Sequence, residues 1–380
     1  MSTESPQITI CLPVYNASSF IEAALDSILN QSYGNFELLV ADDGSTDNTI
    51  EILRKYCAQD PRIVFWQNEK NMGAVRNYNN CFKKARGNFI KPFAADDIMH
   101  KRHLEQLHNH LQENPTTALV SCARQIINDQ GAASTVESSF EKSAIHDGTE
   151  IRRECLKRFV HVFNLIGEPS CVMFRKEHSG EGFDADYYHM TDLDLWIQIL
   201  QHGNLYYITE PLCFYRKHEN TTTNNNFKSL YYMLDFLRIV DKNIELCNTI
   251  YGSRENAFAT VAEHLGRFVF NLTQNSSVEN PQQQISNNLL DSRNPLLLQS
   301  GIKQNEVERP RTLTDQEYFR QLAFFALLRA GENATRLDST YKDLTLKLES
   351  CEAELKGVYA SKSWKSTKIL RKFSRILKAK

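Results

Sequence analysis

Residues 89–98 read Phe-Ile-Lys-Pro-Phe-Ala-Ala-Asp-Asp-Ile, an apolar stretch that runs into two adjacent carboxylates, Asp96 and Asp97. Such a run predicts a buried strand with paired acids at its end. Burying an unpaired carboxylate costs several kcal/mol or more, so a positive partner is required there. A divalent cation, Mg²⁺ or Mn²⁺, that carries a phosphorylated ligand would serve. Mg²⁺ takes one or two protein carboxylates and fills its remaining positions with phosphate oxygens and water. The plainer alternative is a solvated pair that caps the following helix. Two further polar turns keep this one company, Pro13-Val14-Tyr15-Asn16 and Asp42-Asp43-Gly44-Ser45-Thr46-Asp47.

The elements between these turns decide whether they meet. Residues 8–15 form a short apolar run of the kind found in buried parallel strands. Ile21, Ala24, Leu25, Ile28 and Leu29 then mark one face of a helix, behind a turn-and-cap segment at residues 16–19. A strand over 36–41, a helix through Ile50, Leu53 and Tyr56, a strand over 63–66, a helix over 71–85 and a strand over 89–97 follow. Alternation at this spacing predicts a parallel sheet with right-handed crossovers. All its strands point one way, so the three polar turns converge in one crevice at their carboxyl ends. Further on, a His-rich helix (residues 100–111) lacks the i, i+4 pairing of a helical metal site and reads as a solvated face. A strand over 118–127, a polar loop over 128–150 and renewed alternation to residue 216 complete this part of the chain.

Carboxylates at neighbouring strand ends can accept base N–H groups and hold a metal for a diphosphate, which fits a nucleotide pocket. Neither Gly-x-Gly-x-x-Gly nor Gly-x-x-x-x-Gly-Lys-Ser/Thr occurs, so the dinucleotide and P-loop readings lack their fingerprints. Four segments in order, Ile8 to Asn16, Asp42 to Thr49, Asn71-x-Gly73-x-x-Arg76-Asn77 and Ala95-Asp96-Asp97-Ile98, resemble family-two glycosyltransferases of the GT-A fold. The resemblance covers residues 7 to about 220. It implies an α/β domain with a mostly parallel, Rossmann-like sheet flanked by helices, and a sugar transferred from a nucleotide diphosphate to an acceptor hydroxyl with inversion. It further implies that Pro13 and Tyr15 border the base, Asp43 hydrogen-bonds it, Arg76 lies near the nucleotide, Asp96 faces the ribose and sugar, and Asp97 ligates the metal. Many members carry an Asp where this chain has Ala94, so the metal would rest mostly on Asp97.

A second constellation starts at Thr191-Asp192-Leu193-Asp194-Leu195-Trp196. Leu193, Trp196, Ile197 and Leu200 share a helical face, and Gly203 closes the helix. Asp192 alone reads as a first-turn cap; the resemblance makes it the general base, with Thr191 where the family usually has Glu. Asp194 reads as structural and Trp196 as core. His218, in Arg216-Lys217-His218, resembles an Arg-x-His segment of the family and either binds diphosphate or metal or is a structural histidine. A sugar nucleotidyltransferase would need a Gly-rich basic loop after the first strand, which is absent. A degenerate membrane scaffold would have no reason to keep Asp43, Asp96, Asp97 and Asp192 together.

The 380 residues carry a net charge of −2, distributed unevenly. Eight of the 44 basic residues and no acid fall in 359–380, which leaves 36 basic against 46 acidic elsewhere, a formal −10. That asymmetry gives the segment a partner of its own. Ile369, Leu370, Phe373, Ile376 and Leu377 share one stripe among lysines and arginines, with Trp364 nearby. This predicts a basic amphipathic helix on an anionic membrane surface; docking on the acidic body of the protein is the alternative. One Trp and one Phe amid the charges argue against nucleic acid. The nine scattered cysteines suit a reducing cytoplasm, and neither a signal peptide nor a membrane span is expected. The expected organisation is a GT-A domain over 1–225, with a nucleotide-binding half to residue 100 and an acceptor half beyond. A helical extension with a polar linker follows over 226–335, then a heptad seam over 336–358 and the tail. The seam would be a coiled coil that joins a homo-oligomer or a helix packed on the domain. UDP- or dTDP-linked sugars are the expected donors, and a glycan or lipid-linked hydroxyl the expected acceptor, on the cytoplasmic face of the membrane.

Overall fold

The computed structural model describes residues 5–158, 164–187, 189–217, 232–253, 256–257 and 260. Chain contacts divide the molecule into two units, residues 1–226 and 227–380.

The first unit is built on a ten-stranded sheet. Its strands are β1 (Ile8–Val14), β2 (Phe36–Asp42), β3 (Ile63–Gln67), β4 (Phe89–Pro92), β5 (Ile98–Met99), β6 (Thr117–Ile127), β7 (Ala133–Glu137), β8 (Ala144–His146), β9 (Val172–Arg175) and β10 (Asn204–Arg216). The order is β3-β2-β1-β4-β9-β6-β10-β5, with β7 added to β6 and β8 to β10. The pairs β1·β2, β1·β4, β2·β3 and β6·β10 are parallel. β9 lies antiparallel to both β4 and β6, so β1, β2, β3, β4, β6 and β10 all run in one direction. The sheet is therefore mixed: the first half matches the expected parallel βα alternation, and an antiparallel strand joins it to the second half.

Helices α1 (Ile21–Leu29), α2 (Thr49–Gln59), α3 (Ala74–Lys84), α4 (His103–Glu113), α5 (Gly148–Arg158) and α6 (Thr191–Ile199) connect the strands. In α1, Ile21, Ala24, Leu25 and Ile28 are the buried face, as their spacing predicts. All seven residues of β2 are buried, the mark of a strand covered on both sides. The core gathers Ile8, Ile10 and Leu12 of β1 with Leu38 and Val40 of β2, the α1 face, and Leu104, Leu107 and Leu111 of α4. Each such side chain contributes roughly 1.5–3 kcal/mol when fully buried.

Three sequence expectations change. The strand expected over 89–97 ends at Pro92, and Asp96 and Asp97 sit in the turn before β5. Ladder pairing stops there because the Ala94 amide turns to the Ser170 hydroxyl, 3.0 Å away. The polar segment 128–150 contains β7 and β8 rather than loop alone. The His-rich helix begins at His103, and its histidines are not all solvated: His103 and His108 are buried. His103 is held through Nδ1, 2.8 Å from the Leu212 carbonyl, and burial drives its pKa well down.

Two loops are locked together at the end of the sheet. Asn16 adopts a left-handed backbone (φ 48°). Its amide donates to Ser45 Oγ (2.9 Å), and its side-chain oxygen accepts the Thr46 amide (2.8 Å). Ala17 N–H donates to Thr49 Oγ1 and Ser18 N–H to Asp47. Burial alone would raise the Asp47 carboxyl, but hydrogen bonds from Thr49 and Ser18 outweigh it and hold the pKa at about 2. Residues 16–19 therefore do not cap α1 with their own side chains; the β2–α2 loop caps them. At the opposite end, Gly203 permits a close approach, since a Cβ there would lie 2.4 Å from the Thr116 carbonyl oxygen.

In the second unit, α7 (Tyr232–Lys242) and α8 (Ile244–Tyr251) are joined at Asn243, whose side chain donates to the Ile239 carbonyl. Gly252 ends α8 in a left-handed cap (φ 86°). The polar linker, the heptad seam and the basic tail lie outside the described residues, as does His218. Among the described residues no helix is long and apolar enough to cross a membrane.

Candidate active site

The donor end is built by β1, β2 and the entry to α3. Asp42 is fully buried and serves its own turn, accepting the Gly44 and Ser45 amides. Asp43, 2% exposed, accepts Asn68 Nδ2 (3.0 Å), Met72 N–H (2.9 Å) and Gly73 N–H (2.8 Å). The Met72 N–H also reaches the second oxygen at 3.0 Å, so each Asp43 oxygen accepts two hydrogen bonds and the carboxylate's roughly four acceptor positions are taken. Gly73 enters α3 at φ 86°, which suits glycine, and lets two successive amides face Asp43. Asn77 ties this loop to the sheet by donating to the Ala41 carbonyl at 2.6 Å and accepting Asn68 Nδ2 at 3.0 Å. Tyr15 is 49% exposed at the end of β1. Pro13 is half-buried, and Arg76 is exposed on the first turn of α3.

The acidic turn comes next. Asp96 is half-buried and Asp97 is 1% exposed. Asp97 Oδ1 accepts the Arg216 amide at 2.9 Å, while Oδ2 is buried with no hydrogen-bond partner among the described residues. Burial, then the charge of Asp96, raises the Asp97 pKa well above the carboxylate range, against the Ser170 hydroxyl and the Arg216 amide. A buried carboxylate oxygen left without a donor fits a cation. Among the described residues no three His, Cys, Asp or Glu side chains converge on a metal position, so the protein would supply a sparse donor set and phosphate oxygens the remainder.

Arg216, the arginine of the Arg216-Lys217-His218 segment, organises this turn. Its guanidinium donates to the carbonyls of Asp96 (2.7 Å), Asn128 (2.7 Å) and Asp129 (2.9 Å) and lies over the Phe20 ring. Lys91 does the same from below. Its ammonium, fully buried, donates to the carbonyls of Pro92, Pro169, Ser170 and Val172 at 2.8–3.2 Å. It thereby bolts β4 to the short 3₁₀ turn at Pro169–Cys171.

That turn leads to the third component. Asp192 stands in the first turn of α6, half-buried. Oδ1 accepts the Leu193 amide (2.7 Å) and Oδ2 accepts Asn164 Nδ2 (3.0 Å). Burial raises its pKa to about 6, with these hydrogen bonds and the charge of Arg124 opposing. Arg124, on β6, pairs with Glu168 (2.5 Å) and Glu137 (2.8 Å), and Lys217 reaches Glu137 at 3.0 Å. Burial pushes Glu168 up to about 7 despite Arg124. Asp194, in contrast, is buried and structural, accepting the Tyr187 hydroxyl and the Gln198 amide. Trp196 is core, its indole N–H donating to the Gly167 carbonyl at 3.0 Å.

One connected run thus carries two of the three parts. Asp192 bonds Asn164, the turn 164–168 continues into Ser170, and Ser170 bonds the backbone of the Asp96-Asp97 turn. A half-buried acid poised near neutrality stands in the first turn of α6, and a carboxylate held by loop amides and a buried acid open to a cation follow the ends of the co-directional strands β2 and β4. This is the position where open α/β sheets take ligands.

Residues 9–180 match the sequence profile of the family described as "Glycosyl transferase family 2". A protein of Mycobacterium tuberculosis described as uncharacterized is 30% identical over 243 residues, covering 62% of this chain and 75% of its own length. The chain belongs to glycosyl transferase family 2. Chondroitin synthase of Pasteurella multocida is 24% identical over 270 residues, which span 68% of this chain and 26% of that enzyme. TarS of S. aureus (residues 1–349), solved in complex with UDP-GlcNAc, shares its fold with this chain. It superposes with a TM-score of 0.56 at 20% identity and covers 87% of this chain and 92% of that one.

Proposed function

We propose that this family-2 domain transfers a sugar from a nucleotide diphosphate to an acceptor hydroxyl by single displacement with inversion. The observation that carries the reading is Asp192. It is a carboxylate raised to about 6 by burial, oriented through both oxygens and reachable from solvent, which suits a base working near neutral pH. In the proposed step the acceptor O–H bond breaks and its proton passes to Asp192. The oxygen bonds the anomeric carbon, and the bond to the diphosphate breaks with its electron pair leaving on phosphate.

Pro13 and Tyr15 would border the base, and Asp43 would accept a pyrimidine N–H in place of its shared contact from Met72, which favours UDP or dTDP donors. Arg76 and Asp96 would meet the phosphates, ribose and sugar. Asp97, with its buried Oδ2, would hold a divalent cation, Mg²⁺ or Mn²⁺. A cation held there stabilises negative charge on the departing diphosphate. The name of the P. multocida relative supports a glycan acceptor in polysaccharide synthesis; a lipid-linked acceptor would suit the basic segment 359–380, read as a helix on the inner membrane surface. The heptad seam before it offers a contact between copies.

The test is a panel of UDP- and dTDP-linked sugars, with and without Mn²⁺, read by release of nucleoside diphosphate and by product NMR. An α-linked donor should give a β-linked product. A retained α configuration, or nucleotide–phosphate exchange in place of transfer, would sink the proposal.

A further inference from the structure

We infer that Asn164 is the positioning residue of the transfer site: its side-chain amide fixes the orientation of the Asp192 carboxylate and holds it in the ionised form. This deepens the reading of Asp192 as the base and rests on it. The geometry is specific. Asn164 Oδ1 accepts two successive amides, Ile166 (3.1 Å) and Gly167 (2.9 Å). With the oxygen so occupied, the amide group is locked, and Nδ2 must point the other way. There it donates to the Gly167 carbonyl (3.0 Å) and to Asp192 Oδ2 (3.0 Å).

The turn that Asn164 closes is itself pinned from two sides. Ser121 Oγ donates to the Ile166 carbonyl, and Trp196, on the same helix as Asp192, donates to the Gly167 carbonyl at 3.0 Å. Gly167 sits at φ 122°, and a Cβ there would meet Ser121 Oγ at 3.1 Å. The donor that reaches Asp192 is therefore built into the packed scaffold and does not depend on a mobile side chain. That is how a catalytic group keeps its geometry.

Among the described residues, the Asn164 amide is the donor that reaches Asp192 Oδ2. A hydrogen bond to the charged form of a carboxylate favours that form. The ionisable groups around Asp192 are Arg124 on β6, whose charge is shared with Glu168 and Glu137, Glu168 in the turn, and His189 ahead of α6. Burial keeps His189 neutral, with a pKa of about 4. Asp194 faces Tyr187 and Gln198 instead. Backbone amides at Leu193 and Asp192 and the charge of Arg124 oppose the rise of Asp192, and the neutral Asn164 donor adds to them as the side-chain contact on the second oxygen.

Asn164→Asp separates this role from a purely structural one. Its acceptor oxygen can still take the Ile166 and Gly167 amides, but the donor is gone and a second carboxylate faces Asp192. The acid limb of the kcat–pH profile should move up by about one pH unit or more. For a shift of about one unit the rate at pH 7 should fall about twofold, while the rate at pH 6 falls about fivefold, and both should recover towards the wild-type value near pH 9, with KM for the donor within about twofold. Asn164→Ala, which removes the donor without adding charge, should move the limb in the same direction by less. It serves alone if the Asp variant does not fold. Carboxyl ¹³C titration of Asp192 reads the same shift without turnover. If Asp192→Asn keeps its activity, the base reading fails, while an upward ¹³C shift in the Asn164 variants would still sustain the contact. An unmoved limb and an unmoved Asp192 titration, with only the melting temperature lowered, would overturn the inference.

Discussion

Lys91→Met tests how the turn beneath the site is held. Lys91 is fully buried, and burial lowers its pKa to about 8, against the smaller opposing effects of nearby cysteines and Asp97. A drop from 10.5 to about 8 means that carrying the charge inside costs about 3 kcal/mol at pH 7, at roughly 1.4 kcal/mol per pH unit. Against this, the ammonium serves four carbonyls, of Pro92, Pro169, Ser170 and Val172. Each loses about 1 kcal/mol when the donor goes, even where a second donor remains. Met fills the volume and removes both terms, so the net loss near pH 7 is only about 1 kcal/mol. The folded-state pKa lies below the unfolded one, so the unfolded chain binds more protons between about pH 8 and 10.5, and wild-type stability from this group rises with pH across that window. The Met variant lacks that rise. Urea unfolding followed by the fluorescence of Trp196 should therefore show a gap that widens to about 4 kcal/mol by pH 10.5. A gap independent of pH, or one that narrows, would refute a buried, depressed lysine. So would a Met variant more stable than wild type at pH 10.

Other outcomes follow from the same groups. Asp97→Ala should abolish the Mn²⁺-dependent part of nucleotide-sugar binding in calorimetry and leave the fold intact; undiminished binding would remove Asp97 as the cation's carboxylate. His103 is buried and its pKa lies well below 6.5. Stability from this group is present above pH 6.5 and is lost as pH falls from there towards the folded-state value. His103→Gln should flatten that loss in acid denaturation, and an identical slope in both proteins would contradict the assignment. The basic segment 359–380 should carry the chain to anionic vesicles in flotation, less so in high salt. A chain ending at Val358 that floats equally well would end that idea.

The fold was legible where the chain repeats a simple pattern. The first three βα steps and the strand after them follow from apolar runs of strand length and the 3.6-residue spacing of Ile21, Ala24, Leu25 and Ile28. The second half was harder, because β9 is a four-residue strand preceded by a 3₁₀ turn, and its antiparallel insertion between β4 and β6 leaves no periodic trace. The histidines of α4 misled because three polar-looking residues on one helix suggest solvent, while tertiary packing buried His103 and His108. Within the site, acids at strand ends and helix starts announce themselves by type, as Asp43, Asp96, Asp97 and Asp192 did. The groups that aim them do not. Asn164, Arg216 and Arg124 act through backbone carbonyls and second carboxylates up to about 120 residues away. A single sequence carries weak signals for them at most. One is an amine in the middle of an apolar strand at Lys91; another is the turn Asn164-Leu165-Ile166-Gly167, whose glycine adopts positive φ.

The central claim is that Asp192 is the base of a sugar transfer, and the turnover of Asp192→Asn tests it most directly. Asn keeps the size of the side chain and an oxygen for the Leu193 amide but cannot take a proton. With donor affinity measured beside it, turnover should fall by about 10²–10⁴-fold while nucleotide-sugar binding stays within about twofold. A variant that keeps more than about a tenth of wild-type turnover would contradict the account.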